Sequence, residues 1–339
     1  MLSALYWGRK LVALHKHVST DFGRVLLSTA IAALVSVAFS APAHAHCEVG
    51  SRILLATLTF DDPCVADELA LPTIETLQNG DMPSAGELDV SGEFDKTITE
   101  NFGVELRERW IQLNTPGDGT HEGVDDLGTA FKYQFVSDAK SELAMSAALD
   151  IRWGGTGRTA VGAAPFTILT PTWYVGKGFA FLPEPLLRPF GLSAAVGYAI
   201  PTQSSTQFNG GAASAITPNA QFLMWDGSLQ YSLPYLKSHV EDLGLPDFVN
   251  HLVPLVEWKM ETQTSNFHGG GERTTGTINP GLAYLAEKYQ LTAEAIIPVN
   301  RASGENVGAI GELHFFLENI LPHSLGKPLF GGGAQAMQN

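Results

Sequence analysis

Eleven ionisable side chains stand out by type and spacing: Glu105, Arg107 and Arg109; Asp150 and Arg152; Glu257, Lys259 and Glu261; and, in similar surroundings, Lys132, Glu294 and Glu312, with His314 two residues after Glu312. Six are carboxylates and five are cations. On an extended chain a two-residue spacing points each member of a group to the same side. Charged stripes of both signs can line a watery path, neutralise one another in a filled interior, or carry out acid–base or metal chemistry. The third use has the least support. No H-E-x-x-H, G-x-S-x-G or paired C-x-x-C occurs, and each of those spacings is what positions a metal or a nucleophile. Gly154-Gly-Thr-Gly157 and Gly269-Gly-Gly271 are rich in glycine, but neither follows a buried parallel strand and opens a helix, as a phosphate cradle must. His46 and Cys47 are too few to make a metal site. His314 is the best-placed histidine for a Ser–His hydrolase, yet no serine is obviously paired with it. We expect no catalytic, cofactor-binding or metal-binding residue, no cofactor and no enzymatic activity.

The elements that would carry these stripes alternate. From Leu143 to Trp153, Leu143, Met145, Ala147, Leu149, Ile151 and Trp153 oppose Ala144, Ser146, Ala148, Asp150 and Arg152, which is the period of a strand. The same reading gives twelve candidates: 52–60, 88–99, 102–113, 126–136, 141–153, 163–175, 189–200, 219–233, 251–263, 277–287, 290–298 and 306–317. The connections alternate as well. Residues 61–87, 114–125, 154–162, 201–218, 264–276 and 299–305 are mostly long and polar, whereas 100–101, 137–140 and 288–289 are tight turns. Residues 176–188 and 234–250 are the longer members of that second set, and the spacing and Pro246 predict a short amphipathic helix over 237–243.

Ahead of the strands lies an export signal. Arg9, Lys10, Lys16 and Arg24 form a basic leader, Val25–Phe39 is an apolar run of 15 residues, and Ala43-His44-Ala45 is a small-residue cleavage site. The run is shorter than the ~20 apolar residues a spanning helix needs. Residues 1–45 are therefore expected to be a signal peptide and His46 the mature start. The 339-residue chain carries a net charge of −15. Without the signal peptide 16 Lys+Arg face 34 Asp+Glu, about −18, which is evidence against a nucleic-acid partner. Cys47 and Cys64, exported together, are a candidate disulfide.

A soluble sandwich also alternates, but its dry core has no place for the ionisable face described above. The opposite face carries Phe131, Tyr133, Phe135, Leu192, Val196, Tyr198, Val256, Trp258 and Leu282, and Trp110, Trp153, Trp173, Tyr174, Tyr231 and Trp258 fall near strand ends, as in an interfacial girdle. Charge inside and apolar residues outside predict an all-β fold, an antiparallel transmembrane barrel of about twelve strands in the bacterial outer membrane, with outer-membrane lipids as its surroundings. The domain plan is 46–87 as an N-terminal segment, holding the possible first strand at 52–60 and a possible plug or loop, then 88–330 as barrel and 331–339 as tail. The twelve charged and histidine positions become candidate lumen-lining residues.

The stretches Arg52–Pro63, Asp67–Thr73, Leu243–Phe248, Pro254–Glu257 and Gly326–Phe330 resemble an outer-membrane transporter family associated with the meta-pathway of phenol degradation. That resemblance implies a barrel passing small, often apolar or aromatic, solutes, and it supplies no ligand residues. Many barrels end on an aromatic residue read by the barrel-assembly machinery, an expected partner; here Phe330 is followed by nine further residues. Two functions stay open: a channel or transporter for small molecules, or a structural or binding barrel whose ion pairs fill the lumen.

Overall fold

The computed structural model describes residues 47–78, 86–210, 213–267 and 271–330. The expected signal peptide and the tail lie outside them. Strands β1 (Cys47–Val49) and β2 (Arg52–Leu54) form a small hairpin. Then come β3 (Glu68–Gln78), β4 (Gly86–Thr99), β5 (Phe102–Thr115), β6 (Gly119–Val124), β7 (Gly128–Asp138), β8 (Leu143–Arg152), β9 (Ile168–Gly178), β10 (Phe190–Pro201), β11 (Ser205–Gly210), β12 (Ala213–Pro218), β13 (Phe222–Tyr231), β14 (Leu252–Gln263), β15 (Thr274–Leu285), β16 (Tyr289–Pro298) and β17 (Gly308–Phe316).

Twelve of these pair in the order β3-β4-β5-β7-β8-β9-β10-β13-β14-β15-β16-β17, and β17 pairs back onto β3. The sheet is antiparallel and closed, a twelve-stranded barrel with no free edge. Strand β6 folds back on the outer part of β5, and β11 and β12 make a hairpin in the connection between β10 and β13.

The count matches the expectation, but the first wall strand does not. Residues 52–60, expected to be that strand, are not in the wall: Arg52–Leu54 pairs only with Cys47–Val49. Its place is taken by Glu68–Gln78, inside the segment expected to be a loop, so the wall begins at Glu68 and not at 88. Pro72 conceals this strand, since proline cannot donate to a ladder and demotes any run that contains it. The barrel accommodates it where Leu71 and Pro72 drop out of register with both neighbours, the irregularity at which a missing N–H costs least.

Alternation sorts the wall residues. On β8, Ala144 and Ser146 are fully buried while Leu149 is exposed. Trp173, at 61 % exposure, and Val196, Phe131, Tyr133, Leu223, Val256 and Leu291 are exposed on the outside. On a closed barrel an apolar exterior is the surface that faces lipid, and backbone groups satisfied within the sheet are what allow it to stand there. The chain is an outer-membrane barrel. Tyr174, expected in the girdle, instead points inward and packs with Ala148, Ala195 and Phe60, because its neighbour Trp173 faces outward and successive side chains on a strand take opposite sides.

The helix expected at 237–243 lies earlier. An α-turn, Leu233–Tyr235, capped by Ser232, runs into a π-turn, Leu236–Val240. The Ser232 hydroxyl accepts from the Tyr235 N–H at 3.2 Å, and that cap, a stronger start signal than apolar spacing, explains the shift.

Candidate functional site

Residues 47–67, which the wall leaves over, run inside the barrel. The hairpin turn has Gly50 at φ +68, where a Cβ would strike the backbone of Ala139, so only glycine lets it sit against the turn between β7 and β8. Arg52 is fully buried. It donates to the Pro189 carbonyl at 2.9 Å and the Arg188 carbonyl at 2.5 Å, lies 3.5 Å from Glu142 and stacks 3.8 Å above the Tyr235 ring. One guanidinium thus ties the segment to three connections at the same end of the barrel.

Beyond the hairpin, Leu55 packs with Val253, Leu255, Ala283, Leu285 and Phe316. The Leu55 N–H donates to Gln230 at 3.0 Å, and the Gln230 and Gln290 amides donate to the carbonyls of Ile53 and Ala56 at 2.8 and 2.7 Å. These are the backbone groups that a strand would have satisfied in a ladder; here glutamine side chains replace the ladder. Wall residue Gly176 makes the fit possible, since a Cβ there would collide with Leu54 and Pro63. A disulfide joins Cys47 to Cys64 and closes the segment into a loop.

The apex of the segment carries the charge. The Thr59 N–H and hydroxyl donate to Glu257 at 3.0 and 2.7 Å, joined by the Leu58 N–H at 3.2 Å. Asp61 pairs with Lys132, whose ammonium also donates to the carbonyls of Asp62 and Cys64 at 3.1 and 3.0 Å. Glu257 is on the ninth wall strand and Lys132 on the fourth, nearly opposite each other round the barrel. Residues 58–64 therefore bridge the lumen from wall to wall.

The other candidate lumen positions fall into separate clusters. Arg107 pairs with Glu93 at 2.8 Å and with Glu105; Arg109 reaches Asp89 at 2.9 Å and Asp125 at 2.5 Å, and Arg152 lies 4.0 Å from Asp125. Burial would raise the Asp125 carboxyl, but the hydrogen bond and charge of Arg109 outweigh it and hold the group below its ordinary range. Asp150 accepts from Thr172 at 2.8 Å. Lys259 is the ladder partner of Asp226, and Lys259 and Glu261 are exposed. His314 is buried between Glu312, 3.1 Å from Nδ1, and Glu68, 2.9 Å from Nε2. Thr73 donates to the other oxygen of Glu312 at 2.7 Å.

The pairing expected across the lumen, Glu257, Lys259 and Glu261 against Arg107, Arg109 and Arg152, is not the one formed. Arg107 and Arg109 take carboxylates on their own strand or the adjacent β4, where Cβ atoms are close, Arg109 and Arg152 share Asp125 in the connection between β6 and β7, and Glu257 is engaged by the plug. Sequence reading missed Arg52, Asp61, Glu68, Glu142, Gln230 and Gln290. Arg52 stands in an apolar run, and the rest have no signal apart from their position in the closed barrel.

No protein-family model and no curated protein matches the chain. Among solved structures it is similar to an outer membrane channel from Pseudomonas putida F1, at 12 % identity over 74 % of this chain and 95 % of that one, with a TM-score of 0.49. It is also similar to the beta domain of the Bordetella autotransporter Brka (12 % identity, 74 % and 99 % covered, TM-score 0.44) and to the translocator domain of the autotransporter NalP from Neisseria meningitidis (10 %, 74 % and 86 %, 0.40).

Proposed function

We propose that the protein is an outer-membrane channel for small solutes, closed at rest by residues 47–67 and favouring solutes that carry a positive charge. One observation carries this reading: the lumen is filled at one end only. Past the plug, inward-facing Arg109, Arg152, Lys259 and Glu261 remain open to solvent, so the mouth is a charged, watery vestibule. Fixed charge at close range selects ions, and the candidate lumen positions hold six carboxylates against five cations, with Asp226 and Glu93 nearby. The family resemblance, with its apolar or aromatic solutes, fits an aromatic cation better than a neutral hydrocarbon, which would have to pass Arg107, Lys132 and their partners.

The plug also supports a second reading, a structural barrel that passes nothing, because Leu55 and its neighbours form a packed apolar core. A hydrolase is not proposed: His314 is committed to two carboxylates. Assembly by the barrel-assembly machinery belongs to the proposal. Planar-bilayer recording of wild type and Arg52→Ala tests it. The channel reading expects small, cation-preferring currents that grow when the anchor is removed. Silence from both proteins would leave the structural barrel.

A further inference from the structure

The plug meets the wall unevenly. Leu55 packs on β14, β15 and β17, Leu54 on Ala144 of β8, and Phe60 on β8, β9 and β10. Where the β15–β16 wall is polar it is shut as well, since Glu294 and its neighbour Asn279 are both buried. Among the described residues no apolar cluster seals the remaining flank, where residues 61–66 face β4, β5 and β7. A cavity of about 20 Å3 lies there instead, space for about one water. Asp61, Asp62, Glu68, Asp95, Glu105 and Lys132 line it, with Lys96 at one edge.

This cavity stands between the vestibule and the periplasmic end. At its upper edge Glu105 pairs with Arg107, whose side chain is 45 % exposed, and the charged ladder continues through Glu93 to Arg109 and Asp89. At its lower edge, beside the tight turn from β4 to β5 that marks the periplasmic side, Lys96 donates to Asp67 and to the carbonyls of Leu325 and Lys327 at 3.0 and 2.8 Å. Lys132 is likewise committed, to Asp61 and two carbonyls. Carboxylates are left in excess. Asp62 accepts from a neutral donor, the Cys64 N–H, at 2.7 Å. Glu105 is 3 % exposed, gives one oxygen to Arg107 and has no hydrogen-bond partner for the other. Its ladder partner is Asp95, and like charges directly opposite on adjacent strands repel unless a cation or water stands between them.

We propose that inorganic cations and water pass the seated plug on this flank, between residues 61–66 and strands β4, β5 and β7, and that Asp95 and Glu105 set the preference for positive charge. The route rests on the channel reading above and adds a size limit to it. An organic cation does not fit a water-sized space, so it crosses when the plug leaves its seat.

The test is planar-bilayer recording of the refolded protein in a KCl gradient, for wild type, Asp95→Asn, Glu105→Gln and the control Asp247→Asn, whose carboxyl is 85 % exposed on the connection before β14; tetraethylammonium serves as the large cation. The K+/Cl− permeability ratio is expected to fall at least about threefold in Asp95→Asn and Glu105→Gln and to keep its wild-type value in Asp247→Asn. Tetraethylammonium is expected to carry no current through wild type. Heat-modifiable gel mobility reports folding, and Asp95→Asn, at a half-buried position, decides the matter should Glu105→Gln fail to fold. An unchanged ratio in Asp95→Asn, an equal fall in Asp247→Asn, or tetraethylammonium current through wild type overturns the route alone and leaves a channel whose plug moves. A silent wild type overturns the channel reading and the route with it.

Discussion

Single residues report which side of the wall they occupy. Leu149 is exposed on the lipid side, and Leu149→Arg should cost about 2 to 4 kcal/mol if it lies near the bilayer midplane, less toward an interface; folding yield into vesicles against urea measures it. Ser146, three positions away, is fully buried inside, so an arginine there would meet the plug and not lipid. Arg52 is the residue on which the plug's seat most depends. Arg52→Ala leaves Glu142 buried without its cation and two carbonyls without a donor, a loss on the order of 3 to 5 kcal/mol in plug docking. Chymotrypsin cleavage within residues 53–60 of the folded barrel should rise accordingly, and unchanged protection would show that the glutamine contacts suffice.

Elements add effects that no residue shows alone. The disulfide closes a loop of 17 residues, which by chain entropy is worth about 3 kcal/mol. Cys47→Ser with Cys64→Ser should therefore loosen the segment without opening the barrel, seen as faster hydrogen exchange confined to residues 47–67. The turn after β17, Leu317–Ile320, is sensitive to pH. Glu318 accepts from the Asp67 N–H at 2.6 Å, and burial, with Glu68 nearby, lifts its carboxyl from 4.5 to about 8. The folded form keeps a proton that the unfolded chain gives up, so this contribution is complete below 4.5 and is lost as pH rises toward 8. Urea midpoints should fall over that interval in wild type and stay flatter in Glu318→Gln.

At the scale of the whole molecule, charge in the vestibule should set ion preference. Glu261→Gln removes a negative charge from the open end, so the reversal potential under a salt gradient should move toward anions, more at low than at high ionic strength. An unshifted potential would place the selective point below the vestibule, at the plug.

Much of this was legible in the chain before folding. The period of two around Leu143–Trp153, the short turns against long loops, and ionisable residues opposite aromatic ones determined a closed barrel of twelve strands, because alternation and parity are local properties of extended backbone. The tertiary structure alone decided which twelve. Glu68–Gln78 is a strand because β4 and β17 need a neighbour between them, although Pro72 argues against it locally, and Arg52–Phe60 is free to enter the lumen for the same reason. It also decided the partners. Sequence could place Glu257 and Arg107 on the inner face, but strand order and register are long-range, and they paired Arg107 with Glu93, set Thr59 against Glu257 and left Glu294 beside Asn279.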